Sequence, residues 1–349
     1  MQLMIDGSPY EAREGQSVLD VARENGIYIP SLCYHAKTGG VGKCRACLVE
    51  IDGMRGMVTS CTVKAAPDMK ITTNSGAIRD AQRMVVDLLL SSGHHNCLSC
   101  ERNSSCELQH AAYFLGIESA SFALPALAPR DESSEFIVRD STKCIKCGRC
   151  IAGCTSTVVN EVLAFGYRSS RTSVICDENK DMGTSTCVQC GECVQLCPTG
   201  ALIEKKARGK GRDWDLEKVN TTCAYCGVGC QMTLHVDRAK NRIVRITGRD
   251  SGSNEGMLCV KGRYAYEFPS SPKRLKYPMI KKNGEHVRVS WDEALDYTAA
   301  RIKEIVDVDG PDVFSAFGSG RITNENNYAI QKFTRAVIGT NNVDHCART

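Results

Sequence analysis

The spacing of its cysteines limits what this chain can fold into more than any other feature. Two stretches share one pattern, Cys144-x2-Cys147-x2-Cys150-x3-Cys154 and Cys187-x2-Cys190-x2-Cys193-x3-Cys197-Pro198, which makes residues 138–206 an internal repeat. Three further groups flank it: Cys33-x10-Cys44-x2-Cys47-x13-Cys61, His94-His95-x-Cys97-x2-Cys100-x5-Cys106, and Cys223-x2-Cys226-x3-Cys230-x28-Cys259. In all, 21 of 349 residues are cysteine while aromatics make up only 6%. Such a chain suggests small modules held by metal, because disulfides do not persist in the cytosol. An odd cysteine count also fits poorly with a fully paired disulfide scaffold.

Composition removes several classes. The 44 Lys+Arg against 40 Asp+Glu leave a net charge of +4, too balanced for nucleic acid as the main partner. Apolar residues at 42% and charged residues at 24% are those of a soluble globular chain. The longest apolar run, Met84–Leu90, is interrupted by Asp87 and falls far short of the ~18 residues a membrane span needs. The N-terminus, MQLMIDGSPYEA, has neither a basic start nor an apolar core, so no signal peptide and a cytoplasmic location are expected.

Residues 1–78 read as a compact α/β unit. Leu3–Ile5 and Tyr10–Ala12 flank the turn Asp6-Gly7, Ser17 caps a helix over VLDVAREN that Gly26 ends, and Leu48–Ile51 leads into a second hairpin at Asp52-Gly53. Residues 79–118 read as helical, with Ile78, Ala81, Val85 and Leu88 at helical spacing. Residues 119–135 are a Pro/Ser/Ala-rich connector, and Lys205–Arg212 (KKARGKGR) reads as a solvated tether rather than a binding patch. Further on, SWDEALDYTAARIKEIV is an amphipathic helix capped by Ser290 and stopped by Gly310-Pro311. A short buried strand is expected over Val313–Phe317, then a turn at Gly318-Ser319-Gly320 and a helix over Asn326–Ile338.

Soft thiolates suit iron–sulfur clusters and zinc alike. The repeated run, however, is that of bacterial two-cluster ferredoxins; zinc sites use pairs of cysteines, not triplets with a trailing fourth. The ferredoxin resemblance implies one [4Fe–4S] cluster on Cys144, Cys147, Cys150 and Cys197, and a partner on Cys187, Cys190, Cys193 and Cys154. Thr155 departs from the proline that usually follows the fourth cysteine. In the first group, Gly39, Gly40 and Gly42 permit the close backbone approach that a [2Fe–2S] rhomb requires. That spacing resembles the β-grasp ferredoxin domain of complex I-type and hydrogenase-type electron-input subunits, which implies a [2Fe–2S] cluster on Cys33, Cys44, Cys47 and Cys61. Such subunits also hold a [4Fe–4S] cluster on three cysteines and one histidine. Here that implies Cys97, Cys100 and Cys106 with His95 as first choice and His94 as second. Replacing a thiolate by imidazole removes a negative charge and should raise the potential.

The fifth group, TCAYCGVGC with a later CVKGR, resembles the N-terminal cluster domain of molybdenum- or tungsten-bis-pterin oxidoreductases. That implies a [4Fe–4S] cluster on Cys223, Cys226, Cys230 and Cys259, with Lys261 between cluster and pterin as an aid to electron passage. The module order resembles cytosolic formate dehydrogenase alpha subunits. The implied fold class is α+β multidomain: a β-grasp [2Fe–2S] domain (1–78), a histidine-ligated [4Fe–4S] helical domain (79–118), a two-cluster ferredoxin domain (138–206), a small [4Fe–4S] domain (216–272) and the start of an α/β molybdopterin oxidoreductase domain (273–349). Within GSGRITNENNYAIQKFTRA, the residues Gly318, Ser319, Arg321, Asn324 and Glu325 lie where that family lines a pterin guanine dinucleotide, with an ordinary turn and helix cap as the competing reading.

The implied reaction is formate oxidation to CO2 or its reverse. The implied cofactors are one [2Fe–2S], four [4Fe–4S] and, in the full-length protein, a molybdenum or tungsten bis-molybdopterin guanine dinucleotide. No G-x-G-x-x-G follows a strand, so a flavin or NAD(P) site is expected on a partner subunit, with a ferredoxin or a hydrogenase subunit as other possible acceptors. In the family a Cys-Ala-Arg-x segment is followed by a metal-ligating selenocysteine or cysteine and a catalytic histidine. This sequence stops at Cys346-Ala347-Arg348-Thr349, so a UGA codon read as a stop is expected next, and formate oxidation is not expected of the fragment itself. The five clusters use 19 cysteines and one histidine, leaving only Cys176 and Cys346. The competing classes are a standalone electron-transfer subunit of an NAD-linked hydrogenase or complex I-like assembly, and a zinc-stabilised scaffold.

Overall fold

The computed structural model describes residues 1–346; Ala347, Arg348 and Thr349, on which the expectation of a following metal ligand rests, lie outside the described residues. The chain divides into two compact units. The first comprises Met1–Val219, Leu234–Thr247 and Leu258–Arg263, the second Asn220–Thr233, Gly248–Met257 and Tyr264–Thr349.

The first unit opens with the expected hairpin, β1 (Gln2–Ile5) against β2 (Ser8–Glu11). Its turn residues Asp6 and Gly7 have φ of 49° and 82°, the left-handed pair that matches strand twist. Ser17 and Asp20 form a reciprocal capping box at the start of α1 (Val18–Glu24). β3 (Leu48–Ile51), β4 (Val58–Thr59) and β5 (Lys70–Thr72) complete a five-stranded sheet in the order β2-β1-β5-β3-β4, with β5 parallel to β1. Leu3, Ile5, Val49, Ile51 and Ile71 of the sheet pack on Val18, Leu19, Val21 and Ala22 of α1, and Cys47 and Cys61 belong to the same core.

Ser75 caps α2 (Gly76–Leu90), and α3 (Glu107–Phe114) follows after a loop. The stripe that α2 buries is Ile78, Gln82 and Val86, not the expected Ile78-Ala81-Val85-Leu88, and Leu88 is 49% exposed. Gln82 is tolerated inside because its Nε2 donates to the Leu48 carbonyl at 2.9 Å, satisfying a polar group that burial would otherwise penalise. A second core joins Leu32, Ala46, Val86, Leu108, Ala111 and Ile145 with Cys33, Cys44 and Cys147.

β6 (Ile137–Arg139), α4 (Arg149–Ala152), β7 (Leu163–Gly166), β8 (Ser173–Cys176), α5 (Glu192–Leu196) and β9 (Leu202–Glu204) make up the repeat. β6 pairs antiparallel with β9, and β7 with β8. The Lys205–Arg212 segment is not a solvated tether. Lys205 Nζ donates to the Glu132 carbonyl at 2.6 Å, Arg208 pairs with Glu132 at 2.9 Å, and the Arg212 guanidinium donates to the carbonyls of Cys100 and Leu98. Its cations face loop carbonyls and a carboxylate, and those acceptors tie it down. β10 (Glu217–Thr222), β11 (Gln231–Asp237), β12 (Arg242–Gly248) and α6 (Val260–Tyr264) follow.

In the second unit, β13 (Met279–Lys282) and β14 (Glu285–Arg288) form a hairpin ahead of α7 (Trp291–Asp309), which Ser290 caps and Gly310 ends. The strand expected over Val313–Phe317 is instead β15 (Ala316–Ser319), because Pro311–Val313 closes into a 3-10 turn, and its Phe317 is 75% exposed rather than buried. α8 (Asn324–Lys332) runs on into a π-helical turn, Phe333–Ile338, and returns the chain to β16 (Val343–Cys346), parallel to β15. Among the described residues no helix is long and apolar enough to cross a membrane.

Candidate metal centres

Cys33, Cys44, Cys47 and Cys61 are all buried, the first three on the loop between α1 and β3. Their thiols touch: Cys33 meets Cys44 and Cys61, and Cys47 meets Cys61. Hydrogen bonds from the Cys44 and Cys61 thiols pull the Cys33 pKa down, while the same contacts push Cys44 and Cys61 up. Backbone N–H groups also turn inward, Leu32 to Cys44 Sγ at 3.4 Å and Cys44 to Cys33 Sγ at 3.5 Å. A Cβ on Gly40 would lie 2.7 Å from the Cys61 carbonyl oxygen and 3.1 Å from its Sγ, so only glycine lets the loop close over the sulfurs.

His95, Cys97, Cys100 and Cys106 line one cavity together with Asn96, Asn103 and Lys143. His95 Nε2 is buried there with no hydrogen-bond partner, whereas His94 Nε2 is engaged by the Pro125 carbonyl at 2.7 Å. Burial pushes the His95 pKa below its usual value, so the ring is neutral with a lone pair to give. Two glycines shape the place. A Cβ on Gly200 would fall 2.5 Å from Cys100 Sγ, and one on Gly93 would fall 2.1 Å from the Thr142 carbonyl oxygen. Neither was identified from sequence; the glycine directly after Cys197-Pro198-Thr199 was the available signal for Gly200.

The repeat is geometric as well as textual. Lys146 and Gln189, each two residues after the first cysteine of its run, both take φ of 56°. Their N–H groups donate to Cys144 Sγ and Cys187 Sγ, each at 3.4 Å. Gly148 and Gly191 then turn left-handed at φ 84° and 75° and start α4 and α5. Cys144, Cys147, Cys150 and Cys197 line a single cavity, so the fourth cysteine does cross to the first run. In the other direction, Cys154 acts electrostatically on Cys187, Cys190 and Cys193.

Burial raises the Cys106 and Cys144 thiols to about 11 and Cys147 to about 12, and pushes Cys150 and Cys193 well above the usual thiol range. Neighbouring sulfurs add to the rise in each of the four repeat cysteines named. Groups of buried thiols that resist ionisation alone are suited to a cation that drives deprotonation outright. Among the described residues no three His, Cys, Asp or Glu side chains close around a single metal ion.

Sequence analysis also passed over two buried charges inside the runs. Arg149, between Cys147 and Cys150, is 2% exposed and makes a two-point pair with Glu107 at 2.5 and 2.6 Å. Glu192, between Cys190 and Cys193, is 1% exposed and lies 3.3 Å from Lys37 Nζ and 3.2 Å from Arg263 Nη2. Arg263 also donates from Nε to the Cys190 carbonyl at 2.7 Å and from Nη1 to Gln195 at 2.8 Å. A charged residue inside a Cys-x2-Cys-x2-Cys run is visible in sequence, and that was the available signal.

In the second unit, the Cys223 N–H donates to the Cys230 carbonyl at 2.8 Å, and Gly229, at φ 64°, bends the chain between Cys226 and Cys230. Cys259 and the exposed Lys261 belong to the first unit. Gly318, Ser319, Arg321, Asn324 and Glu325 gather at the turn from β15 into α8, at the carboxyl end of a parallel strand. The Ser319 N–H donates to Asn327 Oδ1 at 3.2 Å and the Arg321 N–H to Ser319 Oγ at 3.1 Å, so the turn is internally braced. Open α/β sheets bind ligands at such strand ends.

Comparison with known proteins follows this division. Residues 1–76 match the family model described as a 2Fe-2S iron-sulfur cluster binding domain, and residues 82–120 the NADH-ubiquinone oxidoreductase-G iron-sulfur binding region. Residues 139–201 match a 4Fe-4S dicluster domain, 216–271 the Molybdopterin oxidoreductase Fe4S4 domain, and 274–349 Molybdopterin oxidoreductase. The NADPH-Fe(3+) oxidoreductase subunit alpha of Geobacter sulfurreducens is 34% identical over 350 residues, which cover 100% of this chain and 40% of the relative. A Bacillus subtilis protein named "Putative formate dehydrogenase YrhE" is 34% identical over 394 residues, again 100% of this chain and 40% of the relative. The chain thus spans about two fifths of the length of these curated relatives. Among solved structures, an NAD+-reducing [NiFe]-hydrogenase in the H2-reduced state aligns with a TM-score of 0.56 and 28% identity, over 61% of this chain and 90% of that one.

Proposed function

We propose that this chain, whose segments match iron–sulfur and molybdopterin oxidoreductase family models, is the electron relay of a formate dehydrogenase alpha-type subunit. In this reading Cys33, Cys44, Cys47 and Cys61 hold a [2Fe–2S] cluster. His95, Cys97, Cys100 and Cys106 hold a [4Fe–4S] cluster, as do Cys144, Cys147, Cys150 and Cys197, then Cys187, Cys190, Cys193 and Cys154, and finally Cys223, Cys226, Cys230 and Cys259. Gly318, Ser319, Arg321, Asn324 and Glu325 help seat a molybdenum or tungsten bis-pterin guanine dinucleotide, and Lys261 assists electron passage between it and the cluster of Cys223, Cys226, Cys230 and Cys259. When bound, the clusters supply one-electron steps and the pterin-held metal supplies the two-electron oxidation of formate to CO2.

The protein's own contribution is packing and electrostatics. One core buries Cys33, Cys44 and Cys147 among Leu32, Ala46, Val86 and Ile145, which excludes water between two sets of thiols. The Arg102 guanidinium donates to the Cys197 carbonyl at 3.1 Å, and Gly200 gives Cys100 room, so the histidine-containing set is braced against the repeat. Such dry, close placement is what a relay needs from its protein.

The orphaned, buried His95 Nε2 among three cysteines carries the cluster reading, because no protein group satisfies it. Anaerobically purified protein should be brown and hold about eighteen irons. Colourless protein loaded with zinc would refute the relay. The Geobacter relative favours a second reading, with NADPH as the electron source and ferric iron as the acceptor. With the complete subunit and its partner, formate-dependent dye reduction supports the first reading. Reduction by NADPH but never by formate supports the second.

A further inference from the structure

We infer that Glu192 sets the midpoint potential of the cluster held by Cys187, Cys190, Cys193 and Cys154, through a buried clamp formed with Lys37 and Arg263. The inference rests on the cluster assignment proposed above. Under that assignment the two cubanes of the repeat have the same four-thiolate ligand set, and their runs share local features up to the start of the helix. Lys146 and Gln189 share one backbone conformation and the same N–H to Sγ distance of 3.4 Å, and each run then turns at a left-handed glycine into a short helix. The potential of such a cluster responds to net charge, hydrogen bonds and exposure. Hydrogen bonding to the first sulfur is matched between the runs, and Cys150 and Cys193 are similarly buried at 8% and 7% exposed, while Cys190 and Cys154 are more open than Cys147 and Cys197. Charge differs.

The first residue of the helix, between the second and third cysteines, is Arg149 in one run and Glu192 in the other. Both are almost wholly buried, at 2% and 1% exposed. Their neutralising partners are unequal. Arg149 is met by Glu107, whose side chain is 42% exposed and therefore screened by water. Glu192 is met by two cations whose side chains are 13% and 3% exposed, Lys37 and Arg263. Charges in that setting are weakly screened and act strongly on their neighbours. A carboxylate beside the cluster favours its oxidised, more positive form and so lowers the potential; the two cations oppose it. Lys37 lies on the loop between Cys33 and Cys44, and Arg263 lies four residues after Cys259. Elements from two other cluster groups therefore supply the counter-charges.

The test is an EPR-monitored redox titration of the anaerobically purified, cluster-loaded protein with its Glu192→Gln and Lys37→Met variants, alongside iron content. Glu192→Gln keeps shape and an acceptor oxygen but removes the charge. One cubane signal should shift to higher potential while the other cubane signals hold their midpoints, and Lys37→Met should move that same signal downward. Full iron content with no cubane signal moved in either variant overturns the inference and leaves the cluster assignment standing. If Glu192→Gln loses iron, Lys37→Met decides alone, a downward shift supporting the inference and an unmoved signal overturning it. Unaltered protein with no cubane signal removes the assignment and the inference with it. A purely structural clamp would change stability and leave every midpoint in place.

Discussion

Cys33, Cys44, Cys47, Cys61 and Cys147 sit among leucines, isoleucines and valines in the cores of the first unit. In the second unit, α7 buries no residue at all, although its caps and its amphipathic pattern are those expected from sequence. Trp291 and Leu295 of that helix are 67% and 60% exposed. The difference separates two sources of order. Capping and periodicity suffice to specify a helix, whereas a core requires facing surfaces, and in the first unit some of those surfaces are sulfur. Stability in the first unit should therefore depend on metal, and across residues 279–346 of the second on local backbone chemistry.

Iron removal should break the two regions apart most strongly. Anaerobic chelation is expected to expose residues 1–204 to protease within the cores that contain cysteine, while cleavage between residues 279 and 346 keeps its pattern. Mass spectrometry of the fragments reads both, and equal sensitivity of the two regions would erase the distinction.

Gly200→Ala comes next. Its new Cβ lies 2.5 Å from Cys100 Sγ, so overpacking of about 1–3 kcal/mol should fall on the histidine-containing cluster and remove about four irons per chain. Gly284→Ala in the second unit meets no atom within 4 Å but keeps a φ of 88°, and should cost about 1 kcal/mol of backbone strain with no loss of iron.

A smaller effect concerns pH. Burial lowers the His235 pKa from 6.5 to about 4. Because the folded state binds the proton less readily than the unfolded one, this contribution is complete above pH 6.5 and is lost as the pH falls toward 4. The loss should approach, at most, about 1.4 kcal/mol per pH unit in that window. His235→Gln should flatten the difference, as denaturant melts at pH 7 and pH 5 will show. The smallest change is Ser290→Ala. It removes the hydroxyl that accepts the Glu293 N–H at 3.1 Å and should cost about 1 kcal/mol of cap energy, visible by circular dichroism and independent of iron.

Much of this was legible in the residues. The Asp6-Gly7 turn, the Ser17 and Ser290 caps and the doubled cysteine run each carry a short-range rule, and each is found in the structure. The run also implied that Cys197 crosses to the first set, and it lines that cavity. What escaped was tertiary. Gln82 lies on the buried face of α2 because a Leu48 carbonyl waits for it 34 residues away. Lys205 and Arg208 look like a free basic linker until Glu132, more than 70 residues upstream, is found beside them. That His94 meets the Pro125 carbonyl while His95 Nε2 has no hydrogen-bond partner rests on tertiary contacts that no local pattern reveals.

The chain reads like beads on a string, yet Leu32 and Ala46 pack in one continuous interior with Val86, Leu108 and Ile145. A graft of the first 78 residues onto another scaffold would tear that seam and leave two greasy faces open to solvent. Recombination that respects the molecule must move residues 1 to about 204 as one piece. The text is modular; the solid object is not.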